Sequence, residues 1–112
     1  MLYTYKAKCI NVVDGDTFDF MVDLGFYLTY KIRVRLKGIE IPEMRARTEQ
    51  ERQHAREAKA FVERLILDKT VTIESEKATG IYGRYGVHVI LSGNEDLADK
   101  LYEAGFAKKE EY

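Results

Sequence analysis

Two acidic clusters carry the chemistry that this sequence suggests: Asp-Gly-Asp at residues 14–16 and Glu-Ile-Pro-Glu at residues 40–43. Carboxylates that converge with a backbone carbonyl form an oxygen-only site of the kind that binds Ca²⁺ or Mg²⁺. Such a cation, with one more carboxylate beside it to activate water, provides the parts for metal-assisted phosphodiester hydrolysis. The alternative for the first cluster is a simple turn, because Asp and Gly are common turn residues.

Two arginines, Arg35 and Arg84, are suited to the phosphate that such a cation would hold. A planar guanidinium matches two phosphate oxygens and stabilises the charge that builds on a five-coordinate transition state. Arg84 lies in the motif Tyr-Gly-Arg-Tyr-Gly at residues 82–86, where the glycines let the backbone approach a ligand and Tyr82 or Tyr85 could pack on a sugar or base. The motif is weak evidence alone, and its combination with the acidic clusters is what points to phosphodiester chemistry.

The elements that must position these residues follow from hydrophobic periodicity and from turn and cap residues. The pattern predicts strands over residues 3–13, 17–24, 27–37, 69–76 and 85–91. It predicts a hairpin turn at Gly25, a helix that starts with a Thr-x-x-Glu capping box at Thr48, and a short helix capped by Asn94 and ended by Gly105. Leu97, Leu101 and Tyr102 are predicted to form its buried face.

The resulting order, β-β-β-α-β-β-α, predicts an α+β, mainly β, fold. It suits a five-stranded Greek-key barrel of the OB type, with a helix between strands 3 and 4 and a short C-terminal helix. We expect residues 1–112 to form a single domain of this kind, because 112 residues suffice for one hydrophobic core.

Composition narrows the classes of partner. A net charge of −1 disfavours broad, non-specific wrapping of nucleic acid, so a nucleic-acid partner must be held at a local cationic site. The single cysteine, Cys9, allows no internal disulfide and no Cys-rich zinc site, and a buried free thiol is expected. No membrane span or signal peptide is visible, which favours a cytoplasmic protein without membrane association. We also expect a monomer.

Several segments, taken in order, resemble the staphylococcal nuclease (thermonuclease) family over nearly the whole chain. They are Val13-Asp14-Gly15-Asp16-Thr17, Arg35 with Glu40-Ile41-Pro42-Glu43, Glu57-Ala58-Lys59-Ala60-Phe61, Tyr82-Gly83-Arg84, and Asn94-Glu95-Asp96-Leu97 with Ala104-Gly105-Phe106-Ala107. The resemblance implies an OB-fold SNase-like domain and a Ca²⁺-dependent endonuclease. Such an enzyme hydrolyses DNA and RNA with little sequence preference and leaves 3′-phosphates. Mg²⁺ or another divalent ion is the alternative cofactor.

The resemblance also implies a role for each candidate residue. These roles are metal ligation by Asp16, Glu40 and the Ile41 carbonyl, outer-shell support by Asp14, general-base catalysis by Glu43, phosphate binding by Arg35 and Arg84, and lining of the nucleotide pocket by Tyr82.

The chain departs from the family prototype at a few positions. Glu40 stands where the prototype has Asp, Ile41 replaces Thr, and Ile81 replaces a Lys beside the nucleotide phosphate. The stacking tyrosines expected just past Gly105 do not line up. These departures leave two alternatives to the enzyme: a weak or inactive module on the same barrel that binds nucleic acid or a protein, and a purely structural barrel with an incidental ion-pair network.

Overall fold

The computed structural model describes residues 2–41, 48–76 and 85–109, except the side chains of Leu2, Glu40, Glu76 and Lys109. The strands are β1 Leu2–Asp14, β2 Thr17–Gly25, β3 Leu28–Leu36, β4 Ile39–Glu40, β5 Thr70–Glu76, β6 Tyr85–Ile90 and β7 Lys108–Lys109. The helices are α1 Glu49–Ile66 and α2 Leu97–Glu103.

Five strands close into a barrel in the order β1-β2-β3-β6-β5. The neighbouring strands are antiparallel except for β3 and β6, which run parallel. This architecture confirms the predicted mainly β fold, with α1 between the third and fourth barrel strands. Two short strands that the sequence did not predict, β4 and β7, pair in a separate two-stranded ribbon.

The barrel interior follows from the alternation of side chains along each strand. On β2, Phe18, Phe20 and Val22 are buried, and the rings of Phe18 and Phe20 meet edge to face with centroids 6.0 Å apart. Cys9 is also buried and free, as expected, and burial raises the pKa of its thiol to about 11. Among the residues described, no helix is long and apolar enough to cross a membrane.

Helix α1 starts as the capping signal predicts. The Thr48 hydroxyl accepts a hydrogen bond from the Glu51 N–H at 3.1 Å, which satisfies one of the free donors of the first turn. The buried face of the helix includes Ala55, Ala58 and Val62. Small alanine side chains let this helix pack close to the barrel, next to the turn that carries the first acidic cluster.

Helix α2 begins later than predicted, because the chain folds back tightly after β6. The Leu91 N–H donates to the Glu95 carbonyl at 2.7 Å, and Asn94 adopts a positive φ of 61° within this turn. The N-cap is therefore Asp96, whose carboxylate accepts from the Ala98 N–H at 2.8 Å, and the prediction of Asn94 was wrong.

The other predictions for α2 have mixed outcomes. Tyr102 was predicted to be buried but is exposed, whereas Leu97 and Leu101 are buried as expected. Gly105 ends the helix with a φ of 83°, and the following Phe106 N–H bonds back to the Leu101 carbonyl at 3.0 Å.

The β2–β3 hairpin also turns at a different place. Gly25 is the last residue of β2 and pairs with Leu28, so the two turn residues are Phe26 and Tyr27. Gly25 has a φ of 81°, next to a register irregularity in the ladder, and so serves the bend that leads into the turn. The prediction of a hairpin near Gly25 was confirmed, because glycine is needed at this bend. The turn residues themselves, Phe26 and Tyr27, were not predicted.

Candidate active site

The turn between β1 and β2 holds two carboxylates next to each other. Asp14 ends β1 and pairs with Thr17, and its Oδ1 accepts a hydrogen bond from the Asp16 N–H at 3.1 Å. The Thr17 hydroxyl donates to Asp16 Oδ1 at 3.1 Å. The Asp16 side chain is only 13% exposed. The segment is indeed a turn, and it is a turn that fixes a mostly buried carboxylate beside a second one.

Pairing of β2 with β3 brings Arg35 to this turn. Thr17 lies opposite Arg35, and the Asp16 carbonyl accepts from the Leu36 N–H at 2.7 Å. The Arg35 Nε lies 3.6 Å from Asp16 Oδ2, and the Arg35 side chain is 50% exposed. The guanidinium therefore contacts the acidic turn with one edge and leaves much of its surface open to a ligand.

Ile41 reaches the same turn from the other acidic cluster. A Cβ built on Gly15 would lie 2.8 Å from Ile41 Cδ1 and 3.2 Å from the Ala58 Cβ. Position 15 thus requires glycine, because a side chain there would prevent Ile41 and Ala58 from lying this close to the turn. The β4 backbone is held in place by pairing of Glu40 with Lys108. The Ile41 side chain therefore packs against the Asp-Gly-Asp turn, and the predicted convergence of the Asp16 and Glu40 carboxylates stays a prediction.

The electrostatics of the turn favour a bound cation. Burial, followed by the hydrogen bond and charge of the neighbouring Asp14 carboxyl, raises the pKa of Asp16 to about 7. Burial also opposes ionisation of Asp14, but hydrogen bonds from Asp16 and Thr17 outweigh it and lower the pKa of Asp14. Below about pH 7 the pair therefore retains one proton on Asp16, and a divalent cation can replace that proton.

The donor atoms here are oxygens, which suit Ca²⁺ or Mg²⁺. Within the described ranges, no three His, Cys, Asp or Glu side chains lie together as a metal-binding group. The third carboxylate of the predicted set belongs to Glu40, whose side chain lies outside the described part of the chain. The residues that the structure describes thus fit part of an oxygen-donor site.

Three further candidates, Glu43, Tyr82 and Arg84, also lie outside the described residues, so their positions stay predictions. Their described neighbours lie near the site. Ile41 contacts the acidic turn, and Tyr85, the residue after Arg84, pairs with Val34 next to Arg35.

One acid outside the predicted site, Asp19 on β2, is almost completely buried. Its carboxylate accepts from Arg33 Nε at 2.8 Å and Nη2 at 3.2 Å, and from the Asn11 amide at 3.2 Å. The signal that could have found this contact is the hairpin register, which places Asp19 opposite Arg33.

The model of the family described as staphylococcal nuclease homologue matches residues 33–112, more than half of the chain. The chain belongs to this family. Comparison with curated proteins finds no match. The barrel and its two helices agree with the α+β fold of the family. The residues that the family model matches include Arg35 and begin after the Asp-Gly-Asp turn. The contact of Asp16 with Arg35 therefore links this turn to the matched part of the chain.

The contact of Gly15 with Ile41 makes a direct prediction. We expect Gly15→Ala to destabilise the protein by about 1–3 kcal/mol, because the added methyl group meets Ile41 and Ala58 in a closed space. We also expect it to weaken Ca²⁺ binding, since the displaced segment carries the predicted carbonyl ligand. Urea unfolding and calorimetric titration with Ca²⁺ measure the two effects.

Gly86→Ala is the matched control. Its added Cβ would also lie 2.8 Å from a neighbour, but that neighbour is the flexible Lys37 side chain, which can move aside. Equal losses of stability in the two variants would contradict the argument from close packing at Gly15.

Proposed function

We propose that the protein is a Ca²⁺-dependent endonuclease that hydrolyses DNA and RNA with little sequence specificity and leaves 3′-phosphates, Mg²⁺ being the alternative ion. The observation that carries the proposal is the contact of Arg35 Nε with Asp16 Oδ2 at 3.6 Å, at a turn that Ile41 also touches. A guanidinium thus lies beside a mostly buried acid, Asp16, whose pKa is raised by burial and by the neighbouring Asp14 carboxyl. Membership of the staphylococcal nuclease homologue family supports the same reaction class.

In this proposal, Asp16, Glu40 and the Ile41 carbonyl hold the ion, with Asp14 supporting Asp16 through the hydrogen bonds of the turn. When bound, a divalent ion polarises a phosphoryl oxygen as a Lewis acid. Ionisation of Asp16 is then favoured, because its carboxylate gains a positive partner.

The Arg35 guanidinium has a second task. In the metal-free protein it compensates part of the Asp16 charge, and its half-exposed edge faces solvent. We infer that it turns toward the substrate phosphate and donates two hydrogen bonds to it, with Arg84 completing the clamp. These donors stabilise the charge that grows on the phosphoryl oxygens as the reaction proceeds.

Glu43 is the proposed general base. It removes a proton from the attacking water, whose oxygen forms a bond to phosphorus. The bond from phosphorus to the 5′-oxygen breaks, the 5′-oxygen takes up a proton from solvent, and the phosphate stays on the 3′-oxygen. Tyr82 is proposed to line the pocket for the nucleotide beside this phosphate.

The test is cleavage of single-stranded DNA and RNA oligonucleotides in Ca²⁺, in Mg²⁺ and in chelator. We expect metal-dependent cleavage whose products carry 3′-phosphates, and a loss of about 10²–10⁴ in rate for Glu43→Gln. Glu103→Gln, on the exposed side of α2, is the control and should cleave like the parent. Binding without cleavage in any metal would indicate the non-catalytic module instead, and an unchanged rate in Glu43→Gln would remove that residue from its role.

A further inference from the structure

A row of cations runs along the outer face of β3, away from the acidic turn. Lys31, Arg33 and Arg35 are all exposed and alternate with Ile32 and Val34, which turn toward the barrel. Residues two apart on a strand are about 6.6–6.8 Å apart. An extended single strand places its phosphates at a similar spacing, roughly twice the 3.4 Å rise of a stacked strand. The row therefore matches the repeat of a nucleic-acid backbone.

The row keeps exposed cationic groups although acids lie beside it, because Arg33 and Arg35 each contact one acid and remain at least half exposed. Arg33 is held by the buried Asp19 through Nε and Nη2, yet its side chain is 61% exposed, so one edge of an oriented guanidinium faces solvent. Lys31 lies opposite Met21, which in turn lies opposite Lys8, and the acids nearest to Lys31 on β2 are its diagonal neighbours Asp19 and Asp23. This cationic surface is present on a chain whose net charge is −1.

The row leads to the tip of the β2–β3 hairpin, which exposes two aromatic side chains. Phe26 is 95% exposed and Tyr27 is fully exposed, and Leu24 and Leu28 beside them are exposed as well. Both turn residues have positive φ, 54° and 61°, a conformation in which Asn-Gly is strongly preferred and a bulky residue is unfavourable. The Phe26 and Tyr27 rings are exposed to solvent, and the positive φ of both residues is unfavourable for bulky side chains. These two residues therefore do not stabilise the turn.

We propose that the outer face of β3 and the hairpin tip bind single-stranded nucleic acid on one side of the cleaved phosphate. Arg33 and Lys31 bind the next two phosphates beyond Arg35, and Phe26 and Tyr27 stack on unpaired bases at the far end. From Arg35 to Leu28 the strand spans about 23 Å, the length of three to four extended nucleotides. The inference rests on the proposed function only in taking Arg35 as the clamp of the cleaved phosphate.

The geometry favours a single strand over the other partners that an exposed aromatic tip could meet. Bases in a duplex are stacked on each other and cannot stack on side chains without being unpaired. An anionic membrane could also attract the tip, but docking of the tip on a membrane does not require a spaced row of cations that continues to the candidate active site.

The test is the affinity of fluorescently labelled single-stranded DNA of 4 and 12 nucleotides, measured by anisotropy in Ca²⁺. The Glu43→Gln background prevents cutting, and because binding is the readout, an absence of hydrolysis in the earlier assay leaves this test intact. We expect the 12-mer to bind at least about tenfold more tightly than the 4-mer, since stacking of one base contributes roughly fivefold to 100-fold.

Two variants separate the parts of the site. Phe26→Asn with Tyr27→Gly should remove most of the gain from 4 to 12 nucleotides. Because Asn-Gly suits this turn, the same variant should melt at an equal or higher temperature, which excludes misfolding as the cause. Lys31→Gln should weaken binding of the 12-mer a few-fold and lower the slope of log affinity against log salt by about 0.7, the share of one phosphate contact.

Controls lie on the helices. Lys59→Gln on α1 removes one charge, and Tyr102→Gln on α2 removes one exposed aromatic ring, both outside β2, β3 and the turn that joins them. Binding of the 12-mer that is unchanged in the tip and Lys31 variants, or reduced equally in the controls, would overturn the proposal. Tip-dependent sedimentation with anionic phosphatidylserine vesicles, with oligonucleotide affinity unaffected by the tip, would overturn it in favour of a membrane.

Discussion

Replacing Asp16 with Asn should make the metal-free protein more stable above pH 7, by up to about 4 kcal/mol, while it removes metal-dependent cleavage. The folded-state pKa of Asp16 is raised from 3.8 to about 7. Between these values the folded protein holds a proton that the unfolded chain releases, so the stability of the metal-free protein falls as pH rises from about 4 to about 7. Above pH 7 the full cost of the buried charge remains. Asparagine carries no charge and avoids this cost.

Urea unfolding in chelator at pH 5 and pH 8 measures this difference. The parent should lose stability between the two pH values at this site, and Asp16→Asn should show less of that loss. Asp99→Asn, an exposed acid in the first turn of α2, is the control and should keep the pH dependence of the parent. If Asp16→Asn is no more stable than the parent at pH 8, the claim that the charged Asp16 carboxylate destabilises the metal-free protein is wrong.

The same substitution should reduce the rate of cleavage by at least about 100-fold. Residues that only support a metal ligand cost up to about 100-fold when they are replaced, and a direct ligand should cost more. Stability and activity would then change in opposite directions in one variant. That pattern is typical of a residue kept for function at a cost to the fold.

The second large effect is expected at Arg35. Arg35→Lys should lower kcat by about 10²–10³, because a point charge cannot replace two aligned N–H donors on a phosphate in the transition state. Arg64→Lys, at the exposed end of α1, is the control. Single-turnover cleavage of an oligonucleotide measures the chemical step, and retention of more than a third of the parent rate in Arg35→Lys would exclude the bidentate role.

The barrel was predictable because β2 and β3 place apolar residues on one face and mainly polar residues on the other. Phe18, Phe20 and Val22 could only face a core together, and pairing of β2 with β3 follows from one hairpin. Asp19 fits this alternation but is buried. Its burial depends on a hydrogen-bonded partner, Arg33, across the hairpin, and side-chain alternation alone does not tell a paired acid from a solvated one.

The details of turns and caps were less predictable. Asn94 and Asp96 are both good N-cap residues, and the choice between them was decided by a backbone hydrogen bond from Leu91 to Glu95 that only the folded chain forms. The hairpin tip at Phe26 and Tyr27 could not be predicted from turn propensity, because propensity disfavours bulky residues at positive φ.

The assembly of the candidate site was only partly predictable. The hairpin register indicates that Arg35 lies beside the Asp-Gly-Asp turn, and the structure gives the contact of Arg35 with Asp16. The approach of Ile41 to Gly15 is a long-range contact that depends on how α1 packs against the barrel. No local pattern in the sequence carries that information.

The most direct test of the account is a crystal structure of the protein grown with Ca²⁺. We predict one ion at the β1–β2 turn, about 2.3–2.6 Å from an Asp16 carboxylate oxygen and from the Ile41 carbonyl, with the Arg35 guanidinium close enough to share a phosphate with it. An ion bound elsewhere, or a turn that stays free of Ca²⁺ at saturating concentration, would contradict the proposed metal-dependent site.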